Sequence, residues 1–171
     1  MRSGRTWLLA LLLPMLAILL LGGCQAGLDD GLAPAPLDEP FFRCRVQPVL
    51  TQSCAAFACH GDGRRFFRVF ARNRLRLGGT EADRNAFLSE AERGYNYASA
   101  SAVVVPGRTD ESLLLRKPLD ERAGGYFHQG AHIFGGGDVF LDREDGDYQV
   151  IAQWIEGATE DPSCIEPGSD Q

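Results

Sequence analysis

The chain of 171 residues carries 17 basic and 23 acidic side chains, a net charge of -6 at neutral pH, and 44% of its residues are hydrophobic. That acidic balance speaks against nucleic acid as a partner, because phosphate recognition needs a basic surface. The length suits one small domain with one core once the two ends are set aside, about 130 residues.

Residues 1–23 read as an export signal: Arg2 and Arg5, then an apolar run over 7–21 broken only by Pro14, then Gly22 and Gly23 ahead of Cys24. The small residues before Cys24 match a bacterial lipobox, so a lipid on the Cys24 sulfur would hold the exported chain to a membrane of the cell envelope. An uncleaved anchor is the alternative, although a span needs about 20 apolar residues. Loss of the signal leaves 15 of the 17 basic residues against all 23 acidic ones, a net -8. Residues 24–40 are rich in Gly, Ala, Pro and Asp and have nothing large to bury, so they are expected to form a tether.

The domain is expected over 41–160, with a tail at 161–171. Phe42, Val46, Val49 and Leu50 recur at helical spacing within 41–53, where Pro48 limits regularity. A second helix is predicted over 80–93, capped by Thr80 with Asp83, ended by Gly94 and burying Ala82, Ala86, Phe87 and Ala91. "TDESLLLRKP" predicts a short third helix with Thr109 or Asp110 as cap and Pro118 as stop. The clearest helix is "YQVIAQWIEG": Asp147 caps it, Tyr148, Ile151, Ala152, Trp154 and Ile155 share a stripe, and Gly157 supplies the exit. Before it, "AGGYFHQGAHIFGGGDVF" has six glycines and reads as a loop. The acidic stretch at 142–147 lacks the glycine placement of a calcium loop and reads as a turn and cap. The glycine triplet at 135–137 lacks the lysine and helix of a phosphate cradle.

Five cysteines remain to be assigned, at 24, 44, 54, 59 and 164. Cys24 goes to the lipid, and in an oxidising compartment the others should seldom stay free. Cys44 and Cys164 stand at the two ends of the domain, where they could form a disulfide. Cys54 and Cys59 then form a pair directly ahead of His60, in "SCAAFACHGDG". CxxCH is the signature of covalent c-type haem attachment; here the spacing is CxxxxCH. Residues five apart on a regular helix point about 140° apart, so the chain between these cysteines must bulge or unwind. Two other readings stay open: a disulfide involving Cys54 and Cys59, with His60 structural, and a zinc site combining them with His128 and His132.

Taken together, "FFRCRVQPVLTQSCAAFACHGDG", "PGRTDESLLLRKPL", the glycine and histidine loop and "DYQVIAQWIEGA" resemble the cytochrome-c-like domains of bacterial exported lipoproteins, including the planctomycete-type cytochrome c group. The resemblance covers nearly all of 41–158. It implies a mainly α, class I-like cytochrome c helical fold with a long glycine-rich loop, in which the first and last helices cross. It also implies one haem c attached through Cys54 and Cys59, with His60 as proximal iron ligand.

Met1 and Met15, the only methionines, both lie in the signal, so the domain offers no methionine as sixth ligand. The remaining choices are His128, His132, Lys117, a tyrosine, water or none. Family members often read Gly-Gly-x-x-His-x-Gly after the Lys-Pro-Leu segment, which matches Gly124, Gly125, His128 and Gly130 and favours His128 as the distal ligand, with His132 as the alternative. A bis-histidine iron centre carries electrons and does not activate substrate; an open sixth site would allow ligand sensing or peroxidase-like chemistry. Arg68, Arg72 or Arg76 is expected beside the haem propionates. The expected function is therefore transfer of single electrons to a redox partner protein in the envelope. The alternative is a haem-free, disulfide-braced binding module.

Overall fold

The computed structural model describes residues 36–128 and 138–165, all within the unit that begins at Pro34. The signal, Cys24, most of the tether and His132 lie outside the described residues. Among the described residues the chain is mainly helical and has no strand ladder; a single parallel bridge joins Leu119 to Phe140. No helix among them is long and apolar enough to cross a membrane.

The first helix, α1, is a continuous rod in which α and π turns alternate: Glu39–Phe41 (α), Phe42–Val46 (π), Gln47–Val49 (α) and Leu50–Cys54 (π). Pro48 explains the first widening. It has no N–H to donate and its ring would collide with the carbonyl four residues back, and a π turn moves that carbonyl away. The rod starts earlier than its apolar pattern does, because the Asp38 carboxylate accepts the Phe41 N–H at 2.6 Å. The tether therefore stops short of residue 40. Leu37 packs on the core and its carbonyl accepts the Tyr97 hydroxyl proton at 2.8 Å, while the Asp38 carbonyl accepts the Trp154 Nε1–H at 2.8 Å.

The helix expected over 80–93 is two helices. Thr80 and Asp83 form the expected capping box, but α2 spans only Glu81–Asn85. A second capping box, Ser89 with Glu92, starts α3 at Glu90–Ser101, and Gly94 lies inside it instead of ending α2. The expected stripe fails with the boundary: Ala82, Ala86 and Ala91 are exposed and Phe87 is only half-buried. The face of α3 that goes inward carries Glu92, Asn96 and Ala100, at intervals of four, and two of those three are polar. Each polar group is satisfied by the backbone of the arginine-rich loop. Asn96 accepts the Phe70 N–H at 2.8 Å and donates to the Phe70 carbonyl at 2.9 Å.

A single 3-10 turn at Thr109–Glu111 leads into α4, Leu113–Arg116, whose cap position is Ser112 and not Thr109 or Asp110. The buried Ser112 hydroxyl accepts the Val105 N–H at 2.9 Å and donates to the Arg108 carbonyl at 2.8 Å, which ties the Pro-Gly turn to the helix start. The closing helix, α5, spans Gly146–Ile155 and buries all five residues of the predicted stripe. Its cap is Asp145, whose carboxylate accepts the N–H groups of Asp147 and Tyr148 at 2.9 and 3.1 Å, so Asp147 is the acceptor's partner and not the cap. Gly157 ends it with φ +94°.

α1 and α5 meet at the centre of the core. The fully buried Phe42 and Trp154 rings lie 5.1 Å apart, with Tyr97 of α3 edge-on to Phe42 at 5.4 Å. A disulfide between Cys44 of α1 and Cys164 beyond α5 closes this contact covalently, so the start of the 161–171 tail is fixed to the domain. Arg45 and Glu160 pair beside it.

Candidate functional site

α1 delivers Cys54 at its last π turn, and the chain then unwinds at Ala55 (φ -81°, ψ 13°) as the CxxxxCH spacing requires. Three backbone bonds shape the turn that follows: Cys59 N–H to Ala56 O at 2.8 Å, His60 N–H to Cys54 O at 3.1 Å and Gly61 N–H to Ala56 O at 2.9 Å. Gly61 is required there, since a Cβ on it would stand 2.2 Å from the Ala55 carbonyl oxygen. The His60 carbonyl in turn accepts the Val69 N–H at 2.8 Å, which anchors the turn to the arginine-rich loop.

That loop also orients the His60 ring. Its Nδ1 lies 2.8 Å from the Phe67 carbonyl oxygen, and the ring meets the Phe67 phenyl edge-on at 4.7 Å. A carbonyl only accepts, so Nδ1 carries the proton and the Nε2 lone pair is left available, the usual way a metal-binding histidine is set.

His128 reaches the same place from the other side of the chain. The bridge between Leu119 and Phe140 and the turn at Glu121–Ala123 lead into Gly125, on which a Cβ would stand 1.7 Å from the Leu119 carbonyl oxygen. Tyr126 N–H then donates to Arg116 O at 2.8 Å, and Lys117 Nζ donates to Phe127 O at 3.2 Å, so the residues just before His128 are fixed. The His60 and His128 rings are nearly parallel, 13° apart, with centres separated by 6.0 Å. Imidazole lone pairs lie in the ring plane, and two imidazoles whose Nε2 atoms both pointed at one ion about 2 Å away would have ring centres about 6 Å apart.

Both imidazoles are held neutral. Burial pushes His60 below its ordinary value, against the bond to Phe67, and His128 and Arg65 push it the same way. Burial also lowers His128, with Asp138 opposing and Lys117 assisting. Neutral imidazole is the form that offers a lone pair to a metal.

Cys54 and Cys59 are both free thiols. The disulfide reading of this pair therefore does not describe the structure, in which only Cys44 and Cys164 among the described cysteines are joined. Burial, followed by the neighbouring Cys59, pushes the Cys54 thiol up to about 12, so it is a neutral S–H and a poor nucleophile by itself. No group of three or more His, Cys, Asp or Glu able to hold an ion assembles among the described residues, so the zinc reading has no support from the ligands described, and His132 lies outside them.

The three arginines expected near propionates each have protein partners among the described residues. Arg76 is buried in a two-pronged pair with Glu92 at 2.8 Å on both prongs. Arg72 donates to the Asn85 carbonyl and covers the Phe87 ring, and Arg68 donates to the Gly63 carbonyl and the Tyr95 hydroxyl. The cations whose charge acts on the two imidazoles are Arg65 on His60 and Lys117 on His128. Sequence reasoning also passed over Asp138, whose Oδ1 faces His128 Nδ1 at 4.0 Å. Asp138 follows a glycine triplet with no periodicity to mark it. Phe57 (62% exposed), Phe66 (89%) and Phe127 (60%) stand next to the residues that build the site, one on each contributing segment.

No protein-family model, curated protein or solved structure matches this chain.

Proposed function

We propose that this chain is a c-type cytochrome domain of the bacterial envelope, lipid-anchored at Cys24, that passes single electrons to a redox partner protein. The observation that carries the reading is the pair of neutral, nearly parallel imidazoles 6.0 Å apart, one of them directly after Cys59. In this reading Cys54 and Cys59 would hold one haem c covalently, His60 and His128 would supply nitrogen ligands to its iron, and the fold would be of the class I-like cytochrome c kind. Haem held between two imidazoles supplies a low-spin one-electron centre of lower potential than a His/Met site.

The chain's own residues do the rest. The Phe67 carbonyl fixes the His60 tautomer, and Gly61 lets the turn fold tightly enough for the His60 N–H to donate to the Cys54 carbonyl. Reduced Cys54 and Cys59 are the form that thioether attachment consumes. Phe57, Phe66 and Phe127 would give an apolar ring something to pack on, and the charges of Arg65 and Lys117, which act on the two imidazoles, would attract its acidic groups.

Intact-mass spectrometry of the mature protein, with an absorption spectrum of the same sample, tests this reading. The expected result is the mass of the lipidated polypeptide plus one haem, a sharp reduced α band, and haem that stays with the protein in acidified acetone. A polypeptide of bare peptide-plus-lipid mass, less only the hydrogens lost to disulfides, would overturn it in favour of the haem-free, disulfide-braced module.

A further inference from the structure

His60 and His128 are alike in exposure and ring orientation, but their outer nitrogens face different chemistry. His60 Nδ1 donates to a neutral backbone carbonyl at 2.8 Å. His128 Nδ1 faces a carboxylate, Asp138 Oδ1, at 4.0 Å, and neither of these two buried atoms has a hydrogen-bond partner among the described residues. The Asp138 side chain is only 9% exposed and the His128 side chain 20%. A buried carboxylate oxygen with no donor among the described residues is costly, and the buried imidazole nitrogen opposite it is the group that could satisfy it. The other charged group acting on His128 is Lys117, which donates to the Phe127 carbonyl at 3.2 Å.

We infer that Asp138 is a positioning residue for His128. It holds the imidazole as the Nδ1–H tautomer, so that the Nε2 lone pair is the one available for ligation, and the pair closes by about 1 Å into a charge-assisted hydrogen bond when Nε2 is engaged. The two histidines are then inequivalent. His60 is supported by a neutral acceptor and His128 by an anionic one, so His128 is the stronger donor to an oxidised metal. The tautomer part of this inference stands on the His128–Asp138 geometry alone, and the ligand-strength part rests on the haem reading above.

The test uses the full mature chain, its Asp138→Ala variant and its Asp138→Asn variant. Nitrogen NMR of the histidine rings is recorded on the protein without haem, and redox titration on protein that carries it. Wild type is expected to show His128 as the Nδ1–H tautomer. Asp138→Ala is expected to lose that tautomer as the dominant form, with His60 unchanged. Asp138→Asn keeps a neutral acceptor and is expected to restore the tautomer while weakening His128's preference for the oxidised metal about tenfold, which raises the midpoint potential by about 59 mV. An Asp138→Ala protein whose His128 keeps the wild-type tautomer overturns the positioning role. Equal potentials in wild type and Asp138→Asn overturn the ligand-strength role. A chain that never loads haem overturns the functional reading, and the tautomer spectrum still decides the role of Asp138.

Discussion

Arg76 and Glu92 show how a single pair of residues can decide the fate of a loop. The guanidinium donates two parallel bonds to the carboxylate and further bonds to the carbonyls of Asp83, Ala86 and Phe87, while Glu92 also accepts the N–H groups of Leu77 and Ser89. With side chains 6% and 2% exposed, the two charges are out of water and depend on each other. Burial alone would raise the Glu92 carboxyl, but Arg76, Leu77 and Ser89 outweigh it and hold it at about 2, well below its ordinary 4.5. A carboxyl lowered on folding contributes stability that is complete above its unfolded value and is lost as pH falls through the folded one. The stability difference between wild type and Glu92→Gln should therefore be greatest above pH 4.5 and shrink toward pH 2, as read by urea unfolding across that range. At neutral pH the substitution should cost about 3–5 kcal/mol, because it strands Arg76 in the core. Replacing both partners with apolar residues should recover part of that loss, and an additive double variant would contradict the coupling. Nothing in the local pattern marks this role for Arg76: in a run of six arginines with no acid, each looks equally solvated, and the partner is 16 residues away.

At the scale of elements, sequence legibility followed apolar pattern closely and ended where that pattern was polar. α5 was readable because its buried stripe is all apolar; α1 was readable in part, its π turns being invisible to any fixed period. α3 was misplaced because its inward face is Glu92 and Asn96, satisfied by backbone that only the folded loop brings near. The "SEAE" capping box at Ser89 was the available signal, and the longer apolar reading from Thr80 overrode it. The site divides the same way. The quoted motif contains Cys54, Cys59 and His60, and the glycine loop contains His128, but the chain reversal that sets the two imidazoles side by side depends on Gly61 and Gly125 fitting against carbonyl oxygens. This gives a paired prediction on glycines. Gly61→Ala would force a Cβ to within 2.2 Å of the Ala55 carbonyl, so it should lower stability by about 1–3 kcal/mol and reduce haem content, since the attachment turn must open. Gly94→Ala, inside α3 with nothing within 4 Å of the new Cβ, should raise stability by about 1 kcal/mol and leave haem content unchanged. Thermal melts of both variants with haem quantified per chain separate the two effects, and similar behaviour of the two would refute the assignment of Gly61 to the turn.

At the scale of the domain, the Cys44–Cys164 bond is the covalent constraint among the described residues, its ends 120 positions apart in sequence and its Cα atoms 6.5 Å apart. It joins α1 to the segment beyond α5, where non-covalent contacts already hold: Phe42 on Trp154, the Trp154 Nε1–H on the Asp38 carbonyl, and Arg45 with Glu160. Because none of those contacts involves the two sulfurs, removing the bond should act mainly on the unfolded chain, which gains the freedom of a loop of that length. In the chain-entropy account this amounts to about 4–5 kcal/mol, with measured losses for native bridges commonly about 2–5 kcal/mol. A Cys44→Ala/Cys164→Ala protein should therefore keep the native Trp154 fluorescence in buffer, unfold at a lower urea midpoint, and show a steeper dependence on urea, since the unbridged unfolded chain exposes more surface. Native fluorescence that changes before any urea is added would place the bond's effect in the folded state instead, and an unchanged midpoint would mean that the meeting of α1 and α5 is held by the Phe42–Trp154 core alone.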